Sequence, residues 1–161
     1  MKKLIFVRHS KAEEPSLDIS DFERSLTIKG KTLANTMAVR LKEKEKSAGV
    51  LITSPAFRAI ETALIFAGIF RIPSEQILLA GNIYYKFNLQ TLQEDLARIK
   101  EETDIVTLFG HNPSFTELAG ELSREGCNFM QKCSIVSISF KVSTWSEIAR
   151  NAGTIDYYLK P

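Results

Sequence analysis

The chain has 161 residues, 44% hydrophobic and 25% charged, which suits one globular domain with a sizeable core and excludes a disordered or fibrous chain. Its 21 basic and 19 acidic residues leave a formal charge of +2 and are spread along the chain. There is no long basic stripe of the kind that nucleic acid or a membrane surface needs, so any preference for anions must be local.

Taken from the start, Met1-Lys2-Lys3 and the apolar Leu4–Val7 briefly resemble a signal peptide, but the apolar run ends at Arg8, short of a secretory core of about 7–15 residues. Leu4–Val7 reads instead as a buried strand. Thr27 then caps a helix with Leu33, Met37 and Leu41 on one face, and the charged stretch RLKEKEK forms its solvated end. A second strand, Val50–Thr53, leads into Ser54-Pro55, an N-cap and first-turn proline for a helix that turns Ile60, Ala63, Leu64 and Ala67 inward. That helix holds the longest apolar run, Ala63–Phe70, which is too short to cross a bilayer. A strand at Gln76–Leu79, a helix at Leu89–Lys100 and a strand at Ile105–Phe109 follow, and Asn112-Pro113 repeats the capping device ahead of SFTELAGEL. Strands at Ile135–Phe140 and Thr154–Tyr158 close the series. Alternating strands and helices predict a layered α/β fold with a mostly parallel sheet. No repeat or linker divides residues 1–161. Cys127 and Cys133 have no CxxC or histidine partner and read as reduced thiols, and the whole as soluble and cytoplasmic.

The chain's two histidines, His9 and His111, both follow the carboxyl end of a predicted strand, and Arg58 lies just past a third. In a parallel sheet those ends share one edge, the edge beyond which open α/β folds bind ligands. Arg8 and Arg58 add planar donors suited to phosphate oxygens, beside helix N-termini that favour anions. The bland readings are a hydrogen-bonded structural histidine and surface ion pairs from the arginines to Glu13, Glu14 or Glu61, worth under about 1 kcal/mol. Two histidines at one edge weigh against them.

The segments VRHSKAE at Val7–Glu13, SPAFRAIETA at Ser54–Ala63 and GHNPSF at Gly110–Phe115 resemble, in order and spacing, the motifs of the histidine phosphatase superfamily. ERSLTIKG at Glu23–Gly30 and the short length make the chain most similar to the SixA-type phosphohistidine phosphatases. The resemblance implies a three-layer α/β/α, phosphoglycerate mutase-like fold without a large cap. It also implies a nucleophile, His9, that takes up a phosphoryl group and passes it to water, and a clamp of Arg8, Arg58 and His111 on the phosphate oxygens. Arg24 matches a further substrate arginine of that branch, and a salt bridge to Asp18 or Asp21 is its competing role. No Asp/Glu cluster with metal-site spacing stands near the motifs, and we expect no metal and no cofactor.

Two departures from the family pattern matter. Ser10 stands where many members have glycine, which is tolerable if the backbone there is not left-handed. The segment Gly81–Gln90, where ester-cleaving members carry a carboxylic acid, has no Asp or Glu. Tyr84 or Tyr85 is a weak substitute donor, and aromatic packing over the sheet edge is the more ordinary role of both. Three functions remain: a phosphatase for a phosphohistidine-bearing protein, which the missing acid favours, a phosphatase or mutase for small phosphate esters, and a non-catalytic phosphate-binding domain.

Overall fold

All 161 residues are described by the computed structural model. Six strands, β1 (Lys2–Arg8), β2 (Val50–Thr53), β3 (Leu78–Leu79), β4 (Ile105–Gly110), β5 (Ile135–Phe140) and β6 (Thr154–Leu159), form one sheet in the order β3-β2-β4-β1-β5-β6. β3, β2, β4 and β1 run parallel, and β5 and β6 complete the sheet antiparallel. Arg8 lies opposite Gly110, and Thr53 opposite Phe109, so the chain leaves β1, β4 and β2 side by side at one edge.

Helices α1 (Ile28–Lys44), α2 (Phe57–Phe70), α3 (Asn82–Tyr85), α4 (Leu89–Leu96) and α5 (Ser114–Leu122) cover both faces. The period of two along β1 sorts the core: Leu4 and Phe6 pack with Leu92, Leu96, Phe115 and Leu118, whereas Ile5 and Val7 pack with Met37, Leu41, Ala63 and Phe66. The result is the expected three-layer α/β/α arrangement. Phe6 and Phe115 meet edge to face at 5.3 Å, and truncating such a buried ring to alanine costs about 3–5 kcal/mol. No helix is long and apolar enough to cross a membrane.

Several elements differ from the pattern read along the chain. Ser54 does not cap α2, which begins at Phe57 behind Ala56. The Ser54 hydroxyl accepts the Ala56 N–H at 3.3 Å and meets His111 Nε2 at 2.8 Å, so it belongs to the sheet edge. Leu64 faces outward, and Ala59, Thr62 and Phe66 fill the buried stripe. Asn112 likewise is no cap: its amide donates to the Met130 carbonyl at 2.9 Å, and α5 starts after Pro113. Gln76 ends a 3-10 turn, which leaves β3 only two exposed leucines at the sheet margin. The helix expected through Lys100 stops at Leu96, and α3 is an added turn. In RLKEKEK, Glu45 is buried and bound by Lys3 Nζ at 2.6 Å and Tyr157 Oη at 2.9 Å, so that end is not wholly solvated.

Thr27 does cap α1, its hydroxyl accepting the Gly30 N–H at 3.0 Å. A Cβ on Gly30 would lie 2.0 Å from the Lys11 carbonyl oxygen. Only glycine lets the first turn of α1 press against the loop that leaves β1, and this packing holds the segment after His9 in place.

Candidate active site

His9 follows β1, His111 follows β4, and Arg58 stands in the first turn of α2. The parallel register brings the two imidazoles together with ring centroids 5.1 Å apart. His9 is 7% exposed, and its Nδ1 lies 2.7 Å from the Ser10 carbonyl. A carbonyl oxygen only accepts, so Nδ1 carries the proton and Nε2 keeps its lone pair. Burial above all, then the charge His111 takes on when protonated and the charges of Arg58 and Arg8, lowers the His9 pKa to about 3 against the Ser10 bond. Burial and Arg58 likewise lower His111 to about 4, with Asp21 opposing.

Ser10 has no left-handed backbone, unlike Arg71, Cys133 and Asn151. Its hydroxyl donates to the Gly30 carbonyl at 2.7 Å and its N–H to Thr62 Oγ1 at 3.1 Å, so the serine ties β1 to α1 and α2. Opposite it, Cys133 adopts φ 64° and its N–H reaches the carbonyls of Arg8 and His9, both at 3.1 Å. Burial pushes the Cys133 thiol up to about 11, although a Ser10 bond opposes, so it carries no nucleophile at neutral pH.

The structure has six buried side-chain polar atoms without a hydrogen-bond partner, and three of them are Arg8 Nε, Arg58 Nε and His111 Nδ1. Buried donors are almost always satisfied, and these three belong to residues at one sheet edge. The Ser54 hydroxyl, already accepting from Ala56, can donate to His111 Nε2, which leaves the His111 proton on the orphaned Nδ1. Arg8 also donates to the Met130 carbonyl at 2.8 Å and lies over the Phe129 ring. It has no ion pair with Glu13, Glu14 or Glu61.

Asp21 is the residue that sequence reasoning placed only as a partner for Arg24. It lies on a 3-10 turn in the β1–α1 loop, and its carboxylate takes Arg24 Nη2 at 2.8 Å, Arg58 Nη2 at 2.9 Å and the Tyr84 hydroxyl at 3.0 Å. Partial burial pushes its carboxyl up, but the hydrogen bonds from Arg58 and Tyr84 and both guanidinium charges outweigh that and hold it below its ordinary value. Arg24 therefore sits in its salt bridge, with a further bond to the Glu13 carbonyl at 2.8 Å, and touches the site through Asp21. Tyr84 packs edge on against His111 at 5.6 Å and against Phe22 at 5.2 Å, while Tyr85 is 78% exposed. Burial and the bond to Asp21 raise the Tyr84 hydroxyl pKa, so its proton is firmly held.

No protein-family model matches the sequence, and no curated protein matches it. Solved structures do match its fold. A SixA protein histidine phosphatase complexed with tungstate superposes with a TM-score of 0.80 at 22% identity over 98% of this chain and 96% of that one. A candidate SixA phosphohistidine phosphatase from Nakamurella multipartitia gives 0.81 at 18% identity over 99% and 96%. A mycobacterial glucosyl-3-phosphoglycerate phosphatase is more distant, at 0.69 and 14% identity over 97% of each chain. The chain thus has the fold shared by SixA and phosphoglycerate mutase-like phosphatases, as the sequence motifs implied.

Proposed function

We propose that the chain is a metal-independent phosphatase that works through a phosphorylated His9 and removes the phosphoryl group from phosphohistidine on a protein. The observation that carries this reading is the trio of orphaned donors on Arg8, Arg58 and His111 around an imidazole whose Nε2 is free. A phosphoryl group offers these donors the oxygens they lack, and they meet the charge that spreads over those oxygens in the transition state.

In the first step His9 Nε2 attacks phosphorus in line, the N–P bond to the substrate imidazole breaks, and that nitrogen keeps the electron pair and takes a proton from solvent. In the second, water attacks the phosphorylated His9, inorganic phosphate leaves, and Nε2 regains its lone pair. Neutral imidazole is required for the attack, and the burial and cations that hold His9 unprotonated supply it. The substrate class follows from the proton inventory. An alkoxide leaving group needs an acid, yet Asp21 is ionised and the Tyr84 proton is held by it, whereas an imidazole nitrogen is a far weaker base and departs with little help.

Turnover of a phosphorylated histidine carrier protein, measured beside a panel of sugar phosphates, tests the reading. The expected kcat/KM ratio favours the protein by at least about two orders of magnitude, the lower end of what a positioned general acid contributes. Equal or better activity on a sugar phosphate transfers the site to small esters. Phosphate binding without turnover of either leaves a non-catalytic domain.

A further inference from the structure

A cleft of about 680 Å3 opens next to the clamp and shares one residue with it, Arg8. Lys11 and Lys132 stand in its wall with Gln131, Phe129, Leu33 and Pro161, and no Asp or Glu side chain lines it. None of its three cations pairs with a carboxylate anywhere in the structure. A chain of net charge +2 has acids enough to neutralise a local cluster, and its other site arginines, Arg24 and Arg58, are indeed paired with Asp21. Around the phosphate clamp, Asp21 neutralises Arg24 and Arg58, whereas Arg8, Lys11 and Lys132 carry no ion pair.

The cleft is close to the nucleophile. Lys11 is two residues past His9, which sets their Cα atoms at most about 7 Å apart. Lys132 precedes Cys133, whose N–H is bonded to the Arg8 and His9 carbonyls at 3.1 Å. Lysine ammonium groups on flexible stems suit point-like anions arriving in varied positions, unlike the fixed fork that an arginine offers a phosphate. Phe129, 58% exposed, gives the same cleft an apolar wall for the stem of an incoming side chain.

We propose that this cleft is a second anion subsite, which takes carboxylate side chains flanking the phosphohistidine on the partner protein. The proposal rests on the phosphohistidine reading and adds to it the chemistry of the partner surface: acidic residues next to the modified histidine, seated on Lys11 and Lys132. Exposed charge pairs of this kind contribute a few-fold each and act on binding and encounter rate more than on chemistry, with a steep dependence on salt.

Two peptides of equal length test this, each built around a non-hydrolysable triazolyl phosphonate analogue of phosphohistidine, one flanked by glutamates and the other by serines. Their binding is read by fluorescence anisotropy against the unmodified protein and K11A/K132A, at low and physiological salt. The glutamate peptide is expected to bind the unmodified protein at least about fivefold tighter. That advantage should shrink with salt and vanish in the double variant, while the serine peptide binds both proteins alike. Equal affinity of the two peptides, or an advantage that survives in K11A/K132A, overturns the subsite and leaves the proposed function intact. A preference for pyrophosphate over inorganic phosphate that depends on Lys11 and Lys132, without any peptide preference, gives the cleft to small bis-anions and overturns it as well. If neither peptide binds while inorganic phosphate does, the phosphohistidine reading itself fails and the subsite falls with it.

Discussion

Arg58 and Asp21 are joined twice: Arg58 Nη1 donates to the Asp21 main-chain oxygen at 2.5 Å and Nη2 to Asp21 Oδ2 at 2.9 Å. A carboxylate thus holds the arginine of the proposed clamp, and a phosphoryl group at the site would compete with it. Replacing Asp21 by asparagine keeps an acceptor for Arg58 and Tyr84 but removes the charge. Two anions about 5 Å apart repel by roughly 1–3 kcal/mol depending on screening, and the half-exposed Asp21 belongs at the low end. Asp21→Asn should bind inorganic phosphate about fivefold tighter in calorimetry, with the gain fading as salt rises. Weaker binding would show that the carboxylate instead holds Arg58 in its working position.

The proposed nucleophile, His9, is open to chemical trapping. A phosphoryl group on an imidazole nitrogen is labile in acid and stable in base, so alkaline quenching during turnover with labelled substrate should leave the label on His9. His9→Ala should carry none. A label stable in acid, or one located on a serine or on Cys133, would replace His9 in the mechanism.

The proposed clamp can be dismantled one donor at a time. Removing a donor aimed at developing charge generally costs about 10²–10³ in kcat, and Arg8→Ala, Arg58→Ala and His111→Ala should each fall in that range with an unchanged circular dichroism spectrum. Arg58 is the informative member, because its two bonds to Asp21 give it a purely structural alternative. Near-normal turnover by a folded Arg58→Ala protein would establish that alternative.

Much of the site was legible because strand ends are legible. LIFV is a continuous apolar run and IVTLFG is broken only by Thr107, and a parallel sheet brings whatever follows such runs to one edge, so His9 and His111 could be placed together from the sequence. Arg58 came with them because its offset from β2 is short. Asp21 was legible only as a neighbour of Arg24, three residues on. Its bonds to Arg58 and Tyr84 span 37 and 63 residues and depend on the path of an irregular loop, which no periodicity encodes. Ser54 misled for a related reason. A serine before a proline carries a strong local capping signal, and a tertiary partner, His111, took its hydroxyl instead.

Because the chain contains only two histidines, their titration can be followed without assignment of anything else. Burial and neighbouring cations lower His9 to about 3 and His111 to about 4, so the Cε1–H signals of both should stay at their neutral positions from pH 8 down to pH 5. A midpoint between pH 6 and 7 for His9 would remove the electrostatic basis for a neutral nucleophile. The same shifts govern stability. Below pH 6.5 an unfolded histidine takes up a proton that these folded ones refuse, so the unfolded state binds more protons and stability falls with pH across the window from 6.5 down to about 4 and 3. At pH 5 this costs roughly 2 kcal/mol for each buried histidine. Urea unfolding at pH 7.5 and pH 5 should therefore show the unmodified protein losing about 4 kcal/mol more than H9Q/H111Q, since the titrating carboxylates are common to both. Equal losses would mean that the histidines are as solvated in the folded chain as in the unfolded one.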